Sequence, residues 1–240
     1  MIARLPICWP TCAPAVPSAE THGRVVGLAL RPAHAPAPRS VDSATAITGH
    51  GLEGDRHADP RSPRQLLLAG TPAYDDLRLP QLLLRENLLL DIDTASLESG
   101  MLLRVGGDTV LRLSFQCEAC GYLADRLGGS TRALGPRRGV LARVEQGGEM
   151  RVGDTVMILD ERRPAMPEDW RDRVAMVLDA VPLGMVITYA DLARVAGIQS
   201  TYCRAFPRVL AKLGSGRAAR AVAARSADPS PRWDGAGFFT

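Results

Sequence analysis

Two cysteines, Cys117 and Cys120, are the residues of this sequence whose type and spacing best suit chemistry. They follow a segment in which Leu111, Leu113 and Phe115 alternate with polar residues, so that these three apolar side chains are expected to face one way in a half-buried β-strand. A thiol at a strand end is held firmly but stays reachable, since loops after strands commonly carry function. The sequence therefore predicts a reactive thiolate here, acting as nucleophile, sulfur carrier or metal ligand.

Other roles for the two cysteines stay open at this point. Structural zinc needs four ligands, and the sequence has no second pair at a suitable spacing, because Cys8 and Cys12 lie in a proline-rich start. A thioredoxin-like dithiol requires a βαβ context that the sequence does not predict. Two merely buried cysteines are the plain alternative, because free cysteine packs well in protein cores.

Two further segments place polar side chains where they need partners. Residues 49–57 read Gly-His-Gly-Leu-Glu-Gly-Asp-Arg-His, and the three glycines predict a shaped loop that carries Asp55 and His57. The triplet Arg85-Glu86-Asn87 interrupts an apolar run of leucines. Buried polar groups cost several kcal/mol unless they are hydrogen-bonded. We therefore expect the three side chains either to face a site or to pair with one another.

The elements that position these residues are predicted to be short strands between residues 23 and 160, separated by glycine turns, which is typical of a β-barrel or sandwich. Residues 1–22 are predicted to be a disordered extension and residues 161–168 a linker. Apolar residues recur with a helical period from Trp170 onward, and Thr188 with Asp191 has the pattern of a helix N-cap. The predicted fold is mainly a β-barrel, followed at 169–240 by a small α-helical, winged-helix-like domain with helix-turn-helix spacing.

Composition excludes some function classes. No apolar run reaches the roughly 18 residues that a membrane span needs, and the start lacks the apolar core of a signal peptide. With five cysteines, an odd number, we expect reduced thiols in a cytoplasmic protein with no membrane partner. Lys212 is the only lysine, so the barrel lacks the amine for an internal aldimine with pyridoxal phosphate. The basic excess after residue 200 hints at a polyanionic partner.

Residues 23–160 resemble the MOSC domain, the module named for the C-terminal part of molybdenum-cofactor sulfurases. The resemblance rests on an ordered set of segments: the 49–57 loop, Arg64-Gln65, residues 85–88, the strand into Cys117–Cys120, residues 137–143 and Val152-Gly-Asp154. It implies a β-barrel whose essential cysteine, Cys120 or as second choice Cys117, carries persulfide sulfur or ligates the molybdenum of a pterin cofactor. It also implies that the cofactor lies near five polar residues, Arg85, Asn87, Asp55, His57 and Arg64.

The activity implied by this resemblance is sulfur transfer or molybdenum-dependent reduction of N-oxygenated compounds, so we expect an enzyme. The sequence has neither a dinucleotide-binding fingerprint nor an iron–sulfur run. A reductase would therefore need an electron-donor protein, and a sulfur carrier would need a donor such as a cysteine desulfurase.

Residues 181–222 resemble the DNA-binding part of O6-alkylguanine alkyltransferases and alkyltransferase-like proteins, through Val181–Ala193 and Arg204-Ala-Phe. The resemblance implies binding of double-stranded DNA, with Tyr189 and Arg204 helping to swing a base out of the duplex. Ala218 stands where that family's acceptor cysteine would be, so alkyl transfer is excluded. Pro207 falls inside the expected recognition helix and removes a backbone hydrogen bond there. The alternative function is thus a non-enzymatic DNA- or partner-binding protein.

Overall fold

The computed structural model describes residues 21–35, 37–118 and 120–239, so the predicted extension lies almost entirely outside the described residues. The first part of the chain forms strands with two short helices. The strands are β1 (Thr21–Leu30), β2 (Arg39–Val41), β3 (Ser43–Ile47), β4 (Gly51–Leu52), β5 (Leu66–Gly70), β6 (Leu88–Leu90), β7 (Met101–Val105), β8 (Thr109–Gln116), β9 (Val140–Gln146), β10 (Gly148–Arg151) and β11 (Thr155–Arg162). The helices are α1 (Thr71–Leu77) and α2 (Gly121–Arg126), with 3-10 turns at Thr94–Ser96 and Gly135–Arg138.

Seven of these strands close into a barrel, as the sequence predicts. Their order is β11-β7-β8-β9-β5-β6-β1, and β1 also pairs with β11, which completes the ring. Strand β2 pairs with the end of β1 at Leu28–Leu30, while β10, β3 and β4 form a separate small sheet. Neighbouring strands of the ring are antiparallel except β5 and β6, which run parallel.

The barrel interior is filled by leucine and valine side chains from alternate strand positions. Leu66 and Leu68 of β5 and Leu111 and Leu113 of β8 belong to this interior cluster. Leu67 lies between two interior residues, so its side chain points to the outer face of the barrel wall. It packs there in a second cluster.

The predicted facing of β8 is wrong at its end. Leu111 and Leu113 face the interior, but Phe115 packs with Leu67 in the outer cluster, as does Cys117. The pairing register between β8 and β9 shifts between Leu113 and Gln116. A bulge of this kind adds a residue to one strand and turns the following side chains to the other face. The bulge therefore places Cys117 on the outer wall of the barrel.

The parallel pair β5 and β6 requires a crossover connection, and this connection carries the polar triplet. The crossover consists of α1 and residues 78–87, in which Leu82 and Arg85 have φ of +59° and +58°. These left-handed conformations, rare for residues other than glycine, turn the chain back toward the barrel wall. Asn87 then enters the wall beside β5, where its N–H donates to Leu67 O at 2.8 Å.

The C-terminal part of the chain folds into short helices around a small parallel sheet. Its elements are α3 (Trp170–Ala180), β12 (Val186–Thr188), α4 (Tyr189–Val195), a 3-10 helix at Ser200–Ala205, α5 (Phe206–Lys212), α6 (Ser215–Ala218), β13 (Ala221–Val222) and β14 (Arg232–Trp233). Thr188 caps α4 by accepting from the Asp191 N–H, as the sequence predicts. The expected recognition helix is divided into the 3-10 helix and α5, because Pro207 occupies the first turn of α5.

The C-terminal region packs directly on the barrel wall. Arg173 of α3 is 1% exposed, and its guanidinium carbon lies 3.7 Å from the centre of the Phe115 ring. The same guanidinium donates to the carbonyl oxygens of Ala196, Pro167 and Glu168. Among the described residues, no helix is long and apolar enough to cross a membrane.

Candidate functional site

Cys117 lies directly after β8, and its N–H donates to the Gly139 carbonyl at 2.8 Å. The side chain is buried on the outer barrel wall and lines a cavity of about 330 Å³. The cavity is bounded by residues of the barrel and of the C-terminal region: Arg31, His57, Arg64, Leu67, Cys117, Arg138, Leu141, Ile198 and Gln199. We call this space the Cys117 cavity.

Three arginines line the Cys117 cavity. Arg64 Nη2 lies 3.9 Å from the Cys117 sulfur, and Arg64 Nη1 donates to Gly197 O in the C-terminal region. Arg138 is buried, yet its Nε and Nη1 have no hydrogen-bond partner within residues 21–35, 37–118 and 120–239. The same holds for Nε of Arg31. Buried donors without partners are costly and rare, so the cavity is built to receive an acceptor, and an anion fits best.

Burial lowers the pKa of Arg31 to about 10, because the charged guanidinium loses solvation. The nearby carboxylate of Asp55 opposes this shift, and the cations of Arg85 and Arg138 add to it. At neutral pH Arg31 remains protonated, so its charge is available to an anion in the cavity.

A buried hydrogen-bond network holds the wall behind the arginines. Asn87 donates through Nδ2 to Ala29 O and to Asp55 Oδ2, at 3.1 and 2.8 Å. Its Oδ1 accepts from the Leu67 N–H and from Arg31 Nη2, at 3.1 and 3.2 Å. Two of the residues predicted to lie near a cofactor, Asn87 and Asp55, therefore fix the position of Arg31 rather than lining the cavity themselves.

Asp55 also orients His57, which does line the cavity. The His57 N–H donates to Asp55 Oδ1 at 2.8 Å, and His57 Nδ1 lies 3.1 Å from the same oxygen. Burial alone would raise the pKa of Asp55, but hydrogen bonds from His57 and Arg31 more than offset it, so the pKa lies below its ordinary value. Burial lowers the pKa of His57, with Asp55 opposing the shift, so the imidazole is neutral at pH 7.

The other two residues of the predicted triplet point elsewhere. Glu86 is fully buried and accepts from the Tyr74 hydroxyl at 2.7 Å. Burial raises the pKa of Glu86, and burial together with Glu86 raises that of Tyr74. The Arg85 guanidinium stacks on the ring of Tyr122, 4.9 Å from its centre. Asn87 and Glu86 thus pair with other parts of the chain and not with one another, while Arg85 contributes charge near the site.

Cys120 lines a separate cavity of about 160 Å³ at the start of α2. This second cavity is lined by Arg64, Glu118, Cys120, Gly121, Trp170, Arg173, Gly197, Ile198, Gln199 and Tyr202. It shares Arg64, Ile198 and Gln199 with the Cys117 cavity. The two thiols of the loop therefore face neighbouring spaces on either side of Arg64, and both spaces are partly walled by the C-terminal region.

The two residues predicted to contact DNA differ in exposure. Arg204 is exposed on the 3-10 helix after α4. Tyr189 is half-buried, and its ring packs edge-on against Phe206 with centroids 5.6 Å apart. Tyr189 O also accepts from the thiol of Cys203. Tyr189 is thus part of the core of the C-terminal region in this conformation.

The sequence itself matches a known domain across the site. Residues 64–157 match the MOSC domain. The match contains Arg64, Asn87, both cysteines of the loop and Arg138, and it ends before the C-terminal region. No curated protein matches the chain.

Solved structures that resemble this chain include YuaD from Bacillus subtilis, with 16% sequence identity and a TM-score of 0.47, covering 57% of this chain and 94% of that one. YiiM from Escherichia coli has 18% identity and a TM-score of 0.45, covering 79% of this chain and 94% of that one. YiiM from Geobacillus stearothermophilus has 13% identity and a TM-score of 0.47, covering 84% and 94%.

Sequence reasoning missed three participants in the site. Arg31 lies just after β1, and Ile198 and Gln199 lie in the turn before the 3-10 helix. Arg138 belongs to a matched segment, but nothing in the sequence distinguishes it from its neighbour Arg137, which pairs with Asp76 at the surface. Within the described residues, no group of three or more His, Cys, Asp or Glu side chains could hold a metal ion.

Proposed function

We propose that this protein uses a cysteine of the 117–120 loop to bind a molybdenum cofactor or to carry persulfide sulfur. The observation that carries the proposal is the Cys117 cavity, in which a thiol adjoins three buried or half-buried arginines. One of them has two nitrogens without a partner among the residues that the structure describes. The match of residues 64–157 to the MOSC domain, a family linked to both roles, supports it.

The residues present fit an anionic cofactor. A thiolate is a soft ligand that suits molybdenum, and arginine forks suit phosphate oxygens. A cavity of about 330 Å³ is in the usual range for ligand sites, and the Cys120 cavity adjoins it. Bound molybdenum would supply two-electron redox chemistry, with electrons from a partner protein.

The chain's own residues would have distinct roles. Arg31, Arg64 and Arg138 would bind the anionic part of the ligand, and Asn87 and Asp55 would hold Arg31 in place. The Cys120 or Cys117 thiolate would be the ligand or the sulfur acceptor. The resemblance favours Cys120, whereas the arrangement of arginines and His57 favours Cys117.

The test is the molybdenum and pterin content of protein purified from a host that makes the cofactor. Wild type is compared with Cys117→Ala and Cys120→Ala, and Cys203→Ala is the matched control because that thiol packs in the C-terminal region. We expect near-stoichiometric molybdenum, lost in one of the two loop variants and retained in the control. The same samples are checked by intact mass for an added sulfur atom on either cysteine.

A protein without molybdenum, pterin or sulfane sulfur from such a host would overturn the proposal. Sulfane sulfur on a cysteine without bound molybdenum would support only the persulfide-carrier form of the proposal. Equal loss of molybdenum in all three variants would mean that the substitutions impair folding. Circular dichroism of each variant shows whether it is folded.

A second candidate function is binding of double-stranded DNA by the C-terminal region. Arg204, Arg208 and Lys212 are spaced by four residues on the 3-10 helix and α5. All three are exposed, and none has an ion pair in the part of the chain that the structure describes. Such a row of free cations is suited to a phosphate backbone.

Duplex binding measured by fluorescence anisotropy at several salt concentrations tests this function. Each lost phosphate contact lowers the slope of log K against log salt by about 0.9. We expect Arg204→Ala and Arg208→Ala each to reduce the slope, and Arg39→Ala, an exposed arginine on β2, to leave it unchanged. Binding that responds equally to all three variants would refute a specific DNA surface here.

A further inference from the structure

The Cys117 cavity has an asymmetric lining that indicates what kind of molecule it receives. Arg31, Arg64 and Arg138 supply cations, and Leu67 and Leu141 supply an apolar surface beside the thiol. The nearby carboxylate of Asp55 is already occupied by three donors, from Arg31, His57 and Asn87. The cavity therefore brings the charges of three arginines, with the carboxylates of Asp55 and Glu86 near two of them, next to a sulfur atom that also contacts apolar side chains.

Arg138 is the strongest sign of a ligand at this position. Its side chain is 6% exposed, it lines the cavity, and two of its three guanidinium nitrogens lack partners among the described residues. Such a group fits a small oxyanion, because each N–H of a charged guanidinium donates a strong hydrogen bond to an anionic oxygen. Arg31 Nε, which has no partner in the described part of the chain either, adds a third donor.

We propose that the Cys117 cavity binds thiosulfate and that Cys117 is the residue that accepts its terminal sulfur. The three sulfonate oxygens would face Arg31, Arg64 and Arg138, and the terminal sulfur would face the thiolate. This inference rests on the sulfur-carrier form of the proposed function and names the chemical class of the donor.

The reaction needs no added oxidant or reductant. The Cys117 thiolate attacks the terminal sulfur of thiosulfate, and a new sulfur–sulfur bond forms on the protein. The sulfur–sulfur bond of thiosulfate breaks, and its electron pair leaves with sulfite. The products are one cysteine persulfide anion and one sulfite dianion, so atoms and charge balance. The arginines bind the leaving sulfite through the same oxygens as the substrate.

The experiment uses the full chain, reduced, desalted and mixed with sodium thiosulfate. Sulfite release is followed in a single turnover, and intact mass with peptide mapping locates the added sulfur atom. Cyanide is then added as acceptor to measure steady-state turnover to thiocyanate. The variants are Cys117→Ser, Cys120→Ser, Arg138→Lys and Arg138→Met, and the controls are Cys203→Ser and Arg225→Met, an exposed arginine.

We expect one sulfite per protein and one sulfur atom on Cys117, both abolished in Cys117→Ser and retained in the two controls. Each charge-assisted hydrogen bond lost in Arg138→Met should raise the KM for thiosulfate about tenfold or more, and Arg138→Lys should recover part of the loss. Inorganic sulfate should compete with thiosulfate in wild type and more weakly in Arg138→Met.

Three results would overturn the inference. The first is that folded wild type releases no sulfite, and the second is that sulfur is added to Cys120 alone. The third is that the Arg138→Met variant is folded and its KM for thiosulfate is unchanged. If sulfite is absent but molybdenum is bound in a manner that depends on the loop cysteines, the proposed function stands and only the thiosulfate inference fails. If neither is found, both fail.

Discussion

Gly197 is the position where a single methyl group most directly tests how the C-terminal region is attached to the barrel. It follows α4 with φ of +66°, the left-handed conformation common after a helix. A Cβ atom built here would lie 2.6 Å from Phe115 Cζ and 2.6 Å from Pro63 Cγ, both on the barrel side. Gly197→Ala therefore combines a backbone penalty with a clash across the interface.

The two contributions can be given magnitudes and separated by a control. A left-handed conformation costs an alanine about 1–2 kcal/mol, and overpacking of a well-packed contact costs about 1–3 kcal/mol. We expect Gly197→Ala to lower the free energy of unfolding by about 2–5 kcal/mol in total. Gly184 has φ of +77° but no neighbouring atom within 4 Å, so Gly184→Ala pays only the backbone cost.

Urea denaturation followed by circular dichroism gives both free energies, provided that each transition is a single step. The difference between the two variants, about 1–3 kcal/mol, is the cost of the contact between the C-terminal region and the barrel. If Gly197→Ala and Gly184→Ala are equally destabilised, the contact made by Phe115 and Pro63 at this glycine is not formed in solution. Ile198 and Gln199 would then not be held in place as the shared wall of both cavities.

Three further predictions concern the buried polar groups. Asn87→Ala leaves the Leu67 N–H, the Ala29 carbonyl and the Asp55 carboxylate short of a partner, so we expect a loss of at least about 3 kcal/mol in urea denaturation. The pKa values of His57 and Asp55 in the folded protein lie below their ordinary values of about 6.5 and about 3.9, which apply to the unfolded chain. The unfolded chain therefore binds more protons at low pH. The free energy of unfolding falls as the pH drops, first below about 6.5 because of His57 and then below about 3.9 because of Asp55. The urea midpoint measured between pH 8 and pH 4 should show the fall that His57 causes, and this fall should be smaller in His57→Gln. Arg173→Met removes donors from three carbonyls and should cost roughly 3 kcal/mol, with earlier cleavage of the C-terminal region in limited proteolysis.

Each of these three predictions has an outcome that contradicts it. Asn87→Ala with wild-type stability would mean that water replaces the amide, and the wall behind Arg31 would then be open to solvent. A urea midpoint that falls equally in wild type and His57→Gln between pH 8 and pH 5.5 would assign that dependence to another group. Arg173→Met that is as stable as wild type would mean that the methionine packs on Phe115 well enough to offset the lost hydrogen bonds.

The barrel could be predicted from the sequence because its strands are short, apolar at alternate positions and bounded by glycine turns. The end of β8 could not be predicted, because a bulge is set by pairing with β9 and leaves no mark in the alternation of Leu111, Leu113 and Phe115. The tail after Gly214 has little periodicity, yet it forms α6, β13 and β14, because long-range contacts rather than local pattern determine these short elements.

The site could be predicted only in part. The sequence indicated the cysteine loop, Asp55, His57 and Asn87, because polar residues in an apolar or glycine-rich context are conspicuous. It could not rank Arg138 above Arg137, since only the tertiary structure decides which guanidinium faces the cavity and which pairs with Asp76. It also treated the C-terminal region as a separate module, whereas Ile198 and Gln199 wall both cavities. The roles of Cys117 and Cys120 stay predictions.

The pairing of β1 with β11 has a consequence for how the chain is made. Thr21 pairs with Met157 and Arg24 with Thr155, so the ring joins segments that leave the ribosome far apart in time. Until β11 emerges, β1 and β7 each lack their partner along that edge and present unpaired backbone groups. The segment matched to the MOSC domain begins at residue 64 and omits β1. A fragment cut at those bounds would therefore leave an open sheet with free edges, prone to aggregate during synthesis, and β1 has to be included for the barrel to close.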